Sequence, residues 1–170
     1  MNKKIIAILA VDEEFWIWKW NDIPWKSDLK NFKEITTFTQ DSDKQNALIM
    51  GRKTWESIPE KFRPFSGRKN FVVSSQIQNS EIYEWFSSIE NAIEKAQADE
   101  EVEKIFIIWW ASIYNYSFQK NLVDEIYLTN IPGTHECDTF VEIDLSKYTS
   151  YFQDTISVWE EKYLFSKYKK

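Results

Sequence analysis

The stretch Ala47-Leu48-Ile49-Met50-Gly51-Arg52-Lys53-Thr54-Trp55-Glu56-Ser57-Ile58 decides the fold class. Its apolar opening, Ala47 to Met50, reads as a short strand covered on both faces. Gly51 stops that strand, and a helix is predicted from Arg52 to Ile58, ahead of Pro59. A buried strand running through glycine into a helix is the building unit of a parallel α/β sheet. The alternation recurs on either side. Ile5 to Val11 (IIAILAV) is a continuous apolar run, predicted as a central strand. Residues 12–24 form a long connection ending at Pro24. A helix follows with Ser27 as N-cap, Leu29, Phe32 and Ile35 at helical spacing and Phe38 one turn beyond. Further strands are predicted at Asn70–Ser74, Ile82–Phe86, Ile105–Ile108 and Asp124–Ile131, and helices at Ile89–Ala98 and Ala111–Phe118. Residues 154–159 and 162–168 read as a closing antiparallel pair. The expectation is one α/β domain over residues 1–170. Its central, mostly parallel mixed sheet has about eight strands, an antiparallel C-terminal edge and about four flanking helices.

Charge narrows the function classes. Lys+Arg 21 against Asp+Glu 27 leaves a net charge of −6 over 170 residues. General binding to nucleic acid or to an anionic membrane needs the opposite balance, so neither partner is expected. The lone His135 cannot build a multi-histidine metal site and reads as a surface loop residue; no metal is expected. Cys137 is the only cysteine, which excludes an intramolecular disulfide and suits a cytoplasmic chain. The opening MNKKIIAILAVDEEF has an apolar run too short for a signal peptide, and it leads directly into acids. No run approaches the roughly 20 apolar residues of a membrane span. One imbalance is left: 3 glycines against 9 tryptophans, where ordinary usage gives roughly 12 glycines.

Three constellations could carry chemistry. Asp28 and Phe32 stand four apart behind Pro24-Trp25 and so share a helical face. A carboxylate beside an aromatic ring suits a cationic heterocycle or a raised pKa; equally, Asp28 is a favourable acid in a first turn. Gly51-Arg52-Lys53-Thr54 opens a helix after a strand, which suits phosphate or a solvated basic turn. Trp109-Trp110-Ala111-Ser112 lies at the carboxyl end of a strand, where open α/β sheets bind ligands. Two tryptophans there would block close approach of the backbone, and taken alone they read as an aromatic platform or packing cluster.

In order along the chain, these segments resemble dihydrofolate reductase. The likeness runs through Ala10-Val11-Asp12, Asn21-Asp22-Ile23-Pro24-Trp25, Asp28 with Phe32, and Met50 to Ile58. It continues through Gly67-Arg68-Lys69-Asn70, Ser74-Ser75, Ile108 to Tyr114, Tyr127-Leu128-Thr129 and Asp138-Thr139-Phe140. The resemblance implies NADPH as cofactor and dihydrofolate as substrate, with hydride transfer to the pterin C6 and protonation at N5. Asp28 would be the ionisable group of the pterin pocket, and Thr129 the hydroxyl supporting it. Ala7, Ile23, Phe32, Ile58 and Ile108 would line the pocket, and Arg68 would pair with the substrate's glutamate carboxylate. Arg52, Lys53 and Thr54 would hold cofactor phosphates, with Ser74, Ser75 and Gln76 near the adenosine end. Ala7, Ile17, Trp18, Ile108, Trp109, Trp110, Ala111, Ser112 and Tyr114 would contact the cofactor elsewhere. A monomer is expected.

The departures are selective. Where the family's active-site loop reads G-I-G, this chain reads Trp16-Ile17-Trp18. Where the family has Gly-Gly joined by a cis peptide, it reads Trp109-Trp110. Trp20 and Trp159 also stand where glycine is common, whereas Trp25 and Trp55 match family tryptophans. The Pro expected after Phe140-Val141 is missing. Glycine and tryptophan codons differ by one base, so this pattern suggests a gene in which UGA is read as glycine. Taken literally, the sequence predicts that Trp109 and Trp110 intrude on the cofactor groove and weaken NADPH binding. Two alternatives remain. One is a riboflavin-pathway pyrimidine reductase of the same fold, which Asp28 and Arg68 argue against. The other is a non-catalytic nucleotide-binding protein.

Overall fold

Strand β1 (Ile5–Val11) sends alternate side chains into two different cores. Ile6 and Ile8 join one apolar cluster with Phe32, Leu48, Trp55 and Phe106, while Ala7, Leu9 and Val11 join another with Ile49, Ala92, Ile107 and Ile113. Burial on both faces is what an uninterrupted apolar run requires. The computed structural model describes residues 2–18, 28–76, 80–158 and 161–170.

The chain continues through β2 (Trp16–Trp18), α1 (Leu29–Thr37), β3 (Gln45–Gly51), α2 (Arg52–Ser57), β4 (Arg68–Val73) and β5 (Glu84–Phe86). It then runs through α3 (Ile89–Ala98), β6 (Val102–Ile108), α4 (Ala111–Gln119), β7 (Glu125–Asn130), β8 (Thr139–Phe140), β9 (Thr149–Val158) and β10 (Glu161–Lys169). The main sheet has eight strands in the order β5-β4-β3-β6-β1-β7-β10-β9. The first six are parallel, and β10 and β9 add the antiparallel edge. The sheet type, its C-terminal edge and the helices agree with the expectation. Helices α1 and α2 carry the chain towards β5, whereas α3 and α4 carry it back. Right-handed crossovers therefore put the two pairs on opposite faces. Open α/β sheets bind ligands in the crevice beyond the carboxyl ends of the strands where the order reverses, which here are β1 and β6.

Two short elements were hidden within predicted loops. The stretch 12–24 contains β2, which pairs antiparallel with β8 in a separate two-stranded sheet. Trp16 meets Phe140 edge-on there, with ring centroids 5.7 Å apart. The N-cap of α1 is Asp28, without a side-chain capping bond, rather than the expected Ser27. Ser27 lies outside the described residues, as do Trp20, Ile23, Pro24, Trp25 and Trp159.

Asn46, fully buried, fastens α1 to the sheet. Its Nδ2 donates to the carbonyls of Thr36 and Phe38, both at 2.9 Å, and its Oδ1 accepts from the Lys104 amide at 3.1 Å. The last bond satisfies an amide beside the register shift between β3 and β6. Asn46→Leu would strand all three backbone groups, at about 1–3 kcal/mol each. It is expected to lower the urea midpoint by an amount equivalent to more than about 2 kcal/mol; an unchanged midpoint would contradict this role.

Candidate active site

Asp28, partly buried, stands at the start of α1 beside β7. The Thr129 hydroxyl donates to its Oδ1 at 3.1 Å, and Asn31 Nδ2 approaches the same oxygen at 3.4 Å. Burial raises the Asp28 pKa above the ordinary carboxylate value, while both hydrogen bonds oppose the rise. This corner therefore favours a carboxyl that can both hold a proton and accept hydrogen bonds. One turn on, Phe32 projects from the same helical face into the cluster containing Ile58 and Ile108.

Arg68 lies at the other end of α1. Nη1 donates to Thr36 Oγ1 at 2.9 Å and Nε to the Ser66 carbonyl at 3.1 Å. Its guanidinium lies 5.0 Å from the Phe65 ring centroid and 5.9 Å from that of Phe32. Burial lowers its pKa from the free value, and an arginine remains charged at neutral pH. From Asp28 to Thr36 is eight residues along α1, roughly 12 Å. One helix thus holds an acid and a cation apart, with Phe32 between them.

The crevice is bounded by the turn from β6 into α4. Tyr114, buried in α4, donates its hydroxyl to the Ile8 carbonyl at 2.6 Å and accepts from the Trp109 amide at 2.7 Å. Burial raises the Tyr114 pKa well above the usual phenol value, which suits a phenol that stays protonated as a strut. The Thr54 hydroxyl donates to the Trp109 carbonyl at 3.1 Å. Three elements thus hold residue 109 in place. Trp109 has φ 46° and Trp110 has φ 92° with ψ 124°. Peptide 109–110 is trans, unlike the cis bond the resemblance suggested; among the described residues, the cis peptide is Arg63-Pro64.

A basic rim closes the far side. Arg52 Nη1 donates to Gln76 Oε1 at 2.6 Å, and Arg52 Nε lies 3.6 Å from Glu56. Gln76 is held through its amide, which donates to Ser74 Oγ at 3.1 Å. Lys53 and Ser75 are exposed beside them. Thr54 differs from its neighbours: it is fully buried, so its hydroxyl serves the 109 turn instead of facing the rim.

The remaining expected residues are distributed as follows. Ala7 pairs with Ile107 and Ile126 in the middle of the sheet, its side chain in the core behind the crevice. Ile17 is buried in that same core, and Ala111 and Ser112 begin α4. Trp18 contributes backbone pairing with Thr139. Phe65 was not anticipated, although it lies near Arg68, Phe32 and Trp109; it is one of two phenylalanines in the Pro59–Gly67 stretch, and nothing in the sequence singles it out from Phe62. Asp12 was also missed as an organiser. Fully buried, it accepts from the amides of Glu14, Trp16 and His135 at 2.9–3.0 Å, joining the loop before β2 to the 131–138 segment. Among the described residues, no cluster of three or more His, Cys, Asp or Glu is arranged for a metal, and no helix is long and apolar enough to cross a membrane.

The sheet order and the helices on its two faces define a mixed, mostly parallel α/β fold. The chain belongs to the dihydrofolate reductase family, whose model matches residues 4–170. It is 37% identical over 160 residues to the dihydrofolate reductase of Candida albicans, covering 88% of this chain and 82% of that protein. It is 37% identical over 138 residues to the Drosophila melanogaster dihydrofolate reductase, covering 78% and 76%. It is also 40% identical over 152 residues to bifunctional dihydrofolate reductase-thymidylate synthase 2 of Arabidopsis thaliana, covering 84% of this chain. The chain spans only 27% of that bifunctional protein's length.

Proposed function

We propose that the chain reduces 7,8-dihydrofolate to 5,6,7,8-tetrahydrofolate for one-carbon metabolism. The observation that carries this reading is the placement of Asp28 and Arg68 at opposite ends of α1, with Phe32 between. A pterin needs a carboxylate opposite its 2-amino and N3 groups. A glutamate tail needs a cation roughly 12 Å further on. A short pyrimidine substrate would leave the buried Arg68 without a carboxylate partner, which argues against the riboflavin-pathway alternative.

Family membership implies NADPH, and the donors of the rim fit its anionic end. Arg52 and Lys53 would meet its phosphates, with Ser74, Ser75 and Gln76 beside the adenosine. When bound, NADPH supplies the hydride for the pterin C6. The chain's part is alignment and proton delivery. Asp28 would orient the ring through its carboxylate and feed a proton towards N5 through water; Thr129 keeps that carboxylate aimed. Ile58, Phe32 and Ile108 exclude bulk water from the reacting face.

The reading includes a cytoplasmic location and a monomer. It also includes decoding of UGA as glycine at 16, 18, 20, 109, 110 and 159. The backbone supports this at 109 and 110, where φ is positive; at 16 and 18 it is ordinary strand, and the support there is the family pattern alone. Intact mass of the protein from its native cell tests the decoding, and a mass that retains tryptophan at 109 and 110 would reject it.

The function itself is tested by following the NADPH absorbance band on adding dihydrofolate to protein carrying glycine at 16, 18, 109 and 110. Dihydrofolate-dependent loss of the band is expected. A protein that binds NADPH yet never consumes it with dihydrofolate would overturn the reading. One observation favours the non-catalytic alternative for the sequence as written, namely the position of the Trp109 indole against Phe32.

A further inference from the structure

Strand register gathers two lysines and two aromatic rings on one patch of the sheet. Tyr127 in β7 stands directly opposite Lys167 in β10. Lys104 and Phe106 are two apart in β6, and the Phe106 and Tyr127 rings meet edge-on with centroids 6.1 Å apart. Over this patch lies α1. Its residues Asn31, Glu34 and Ile35, spaced three and four apart, share one flank, and Phe38 follows at the C-cap. The space between flank and sheet is a cavity of about 460 Å³, within the roughly 300–1,000 Å³ of small-molecule sites. Neither Asp28, Phe32 nor Arg68 lines it, so it is distinct from the crevice.

The charges around this cavity are unequally satisfied. Lys104 Nζ is paired with Glu103 at 2.7 Å and lies 5.4 Å from the Phe38 centroid. Glu34, largely exposed on the rim, lies 4.0 Å from Lys30. Lys167 differs from both. Its ammonium lies over the rings of Tyr127, Phe152 and Phe165, at 4.7, 5.1 and 5.8 Å. Among the described residues it makes no ion pair or hydrogen bond. Burial lowers its pKa; Glu125 opposes that fall and Lys104 adds to it. Ring faces attract a cation but do not neutralise it. An anion brought to this ammonium gains a charge-assisted bond and relieves the repulsion between the two lysines. One unpaired ammonium suits a single negative charge. The apolar walls, Ile35, Phe38, Phe106 and Tyr127, suit a flat ring.

We propose that the cavity between α1 and β10 is a second ligand site, which takes a small planar aromatic monocarboxylate. The carboxylate meets Lys167, and the ring lies among Ile35, Phe38 and Tyr127. Occupation requires neither NADPH nor dihydrofolate, so the site stands apart from the reductase reading.

The probe is 1-naphthoate, with 1-naphthalenemethanol as its neutral counterpart, each titrated by calorimetry into the chain as written. The acid is expected to bind about ten-fold or more tightly than the alcohol, the effect of one charge-assisted hydrogen bond. Lys167→Met should weaken the acid by a similar factor, whereas Lys167→Arg, which keeps the charge, should retain most of its affinity. Arg68→Met should leave binding unchanged, because that cation belongs to the crevice. The Asn31 side-chain amide signals should move in NMR spectra as 1-naphthoate is added. Equal binding of acid and alcohol overturns the anion site; this comparison uses the unaltered chain and so decides the matter even if Lys167→Met fails to fold. Binding that Arg68→Met abolishes and Lys167→Met preserves puts the probe in the crevice and overturns the second site. No binding of 1-naphthoate at millimolar concentration does the same. Each of these results leaves dihydrofolate reduction untouched, since NADPH consumption tests it separately.

Discussion

With asparagine in place of Asp28, turnover at neutral pH is expected to fall by about 10²- to 10⁴-fold, the range of a positioned acid or base. The folded state should become more stable. Both expectations have one origin, because the carboxyl sits where water cannot solvate its charge well. Its folded pKa therefore lies above the 3.8 of the free side chain. Between those two values the native chain retains a proton that the unfolded chain has released. Stability from this group is complete below the unfolded value and is lost as pH rises through the folded one. Once pH exceeds the folded value the parent carries an ionised, poorly hydrated carboxylate; an amide carries no charge and still accepts from Thr129. Asp28→Asn should melt above the parent once pH exceeds the folded value, with the gap closing as pH falls below the unfolded one. The parent's rate should decline as pH rises through the folded pKa, and the variant should lose that step. These tests belong in the glycine-bearing protein. Undiminished turnover there, or a melting temperature below the parent's at every pH above the folded value, would remove Asp28 from this role.

The second large effect concerns Arg68. Arg68→Met keeps an unbranched apolar side chain and removes the fork that lies over Phe65. The KM for dihydrofolate should rise by roughly 30-fold or more, matching the ~2 kcal/mol or greater loss when one partner of a buried charged pair is truncated. NADPH affinity should hold, because the cofactor rim is built from α2 and the segment after β4. With a dihydropterin lacking the glutamate tail, parent and variant should have equal kcat/KM. Equal KM for dihydrofolate in the two proteins would show that Arg68 does not meet the tail.

Legibility in the sequence depended on range. The central strands announced themselves because burial on both faces demands unbroken apolar runs, as in Ile5–Val11 and Ile105–Ile108. Strands β2 and β8 did not, being short pairings held by the Trp16–Phe140 contact and the Asp12 hydrogen bonds. At the site, Asp28 and Phe32 could be paired by helical spacing alone. Arg68 could not: β3–β4 register sets it beside Asn46, and the bond it donates to Thr36 aligns it with α1. The family resemblance supplied its role. Phe65 escaped because an irregular loop has no period to read. Thr54 was placed on the correct helix, but only packing shows that its hydroxyl points inward.

Strand order has a consequence for the growing chain. β1 is made first, yet its neighbours in the finished sheet are β6 and β7, which are made late. β3, β4 and β5 can assemble among themselves as they emerge, but β1 has no edge to join until Val102–Ile108 has been translated. Until Val102–Ile108 emerges, the nascent polypeptide therefore carries an unpaired, wholly apolar ribbon. Bridging nearly a hundred residues makes that closure a slow, non-local step. The ribbon that organises the finished molecule is the part most in need of shelter while the molecule is being made.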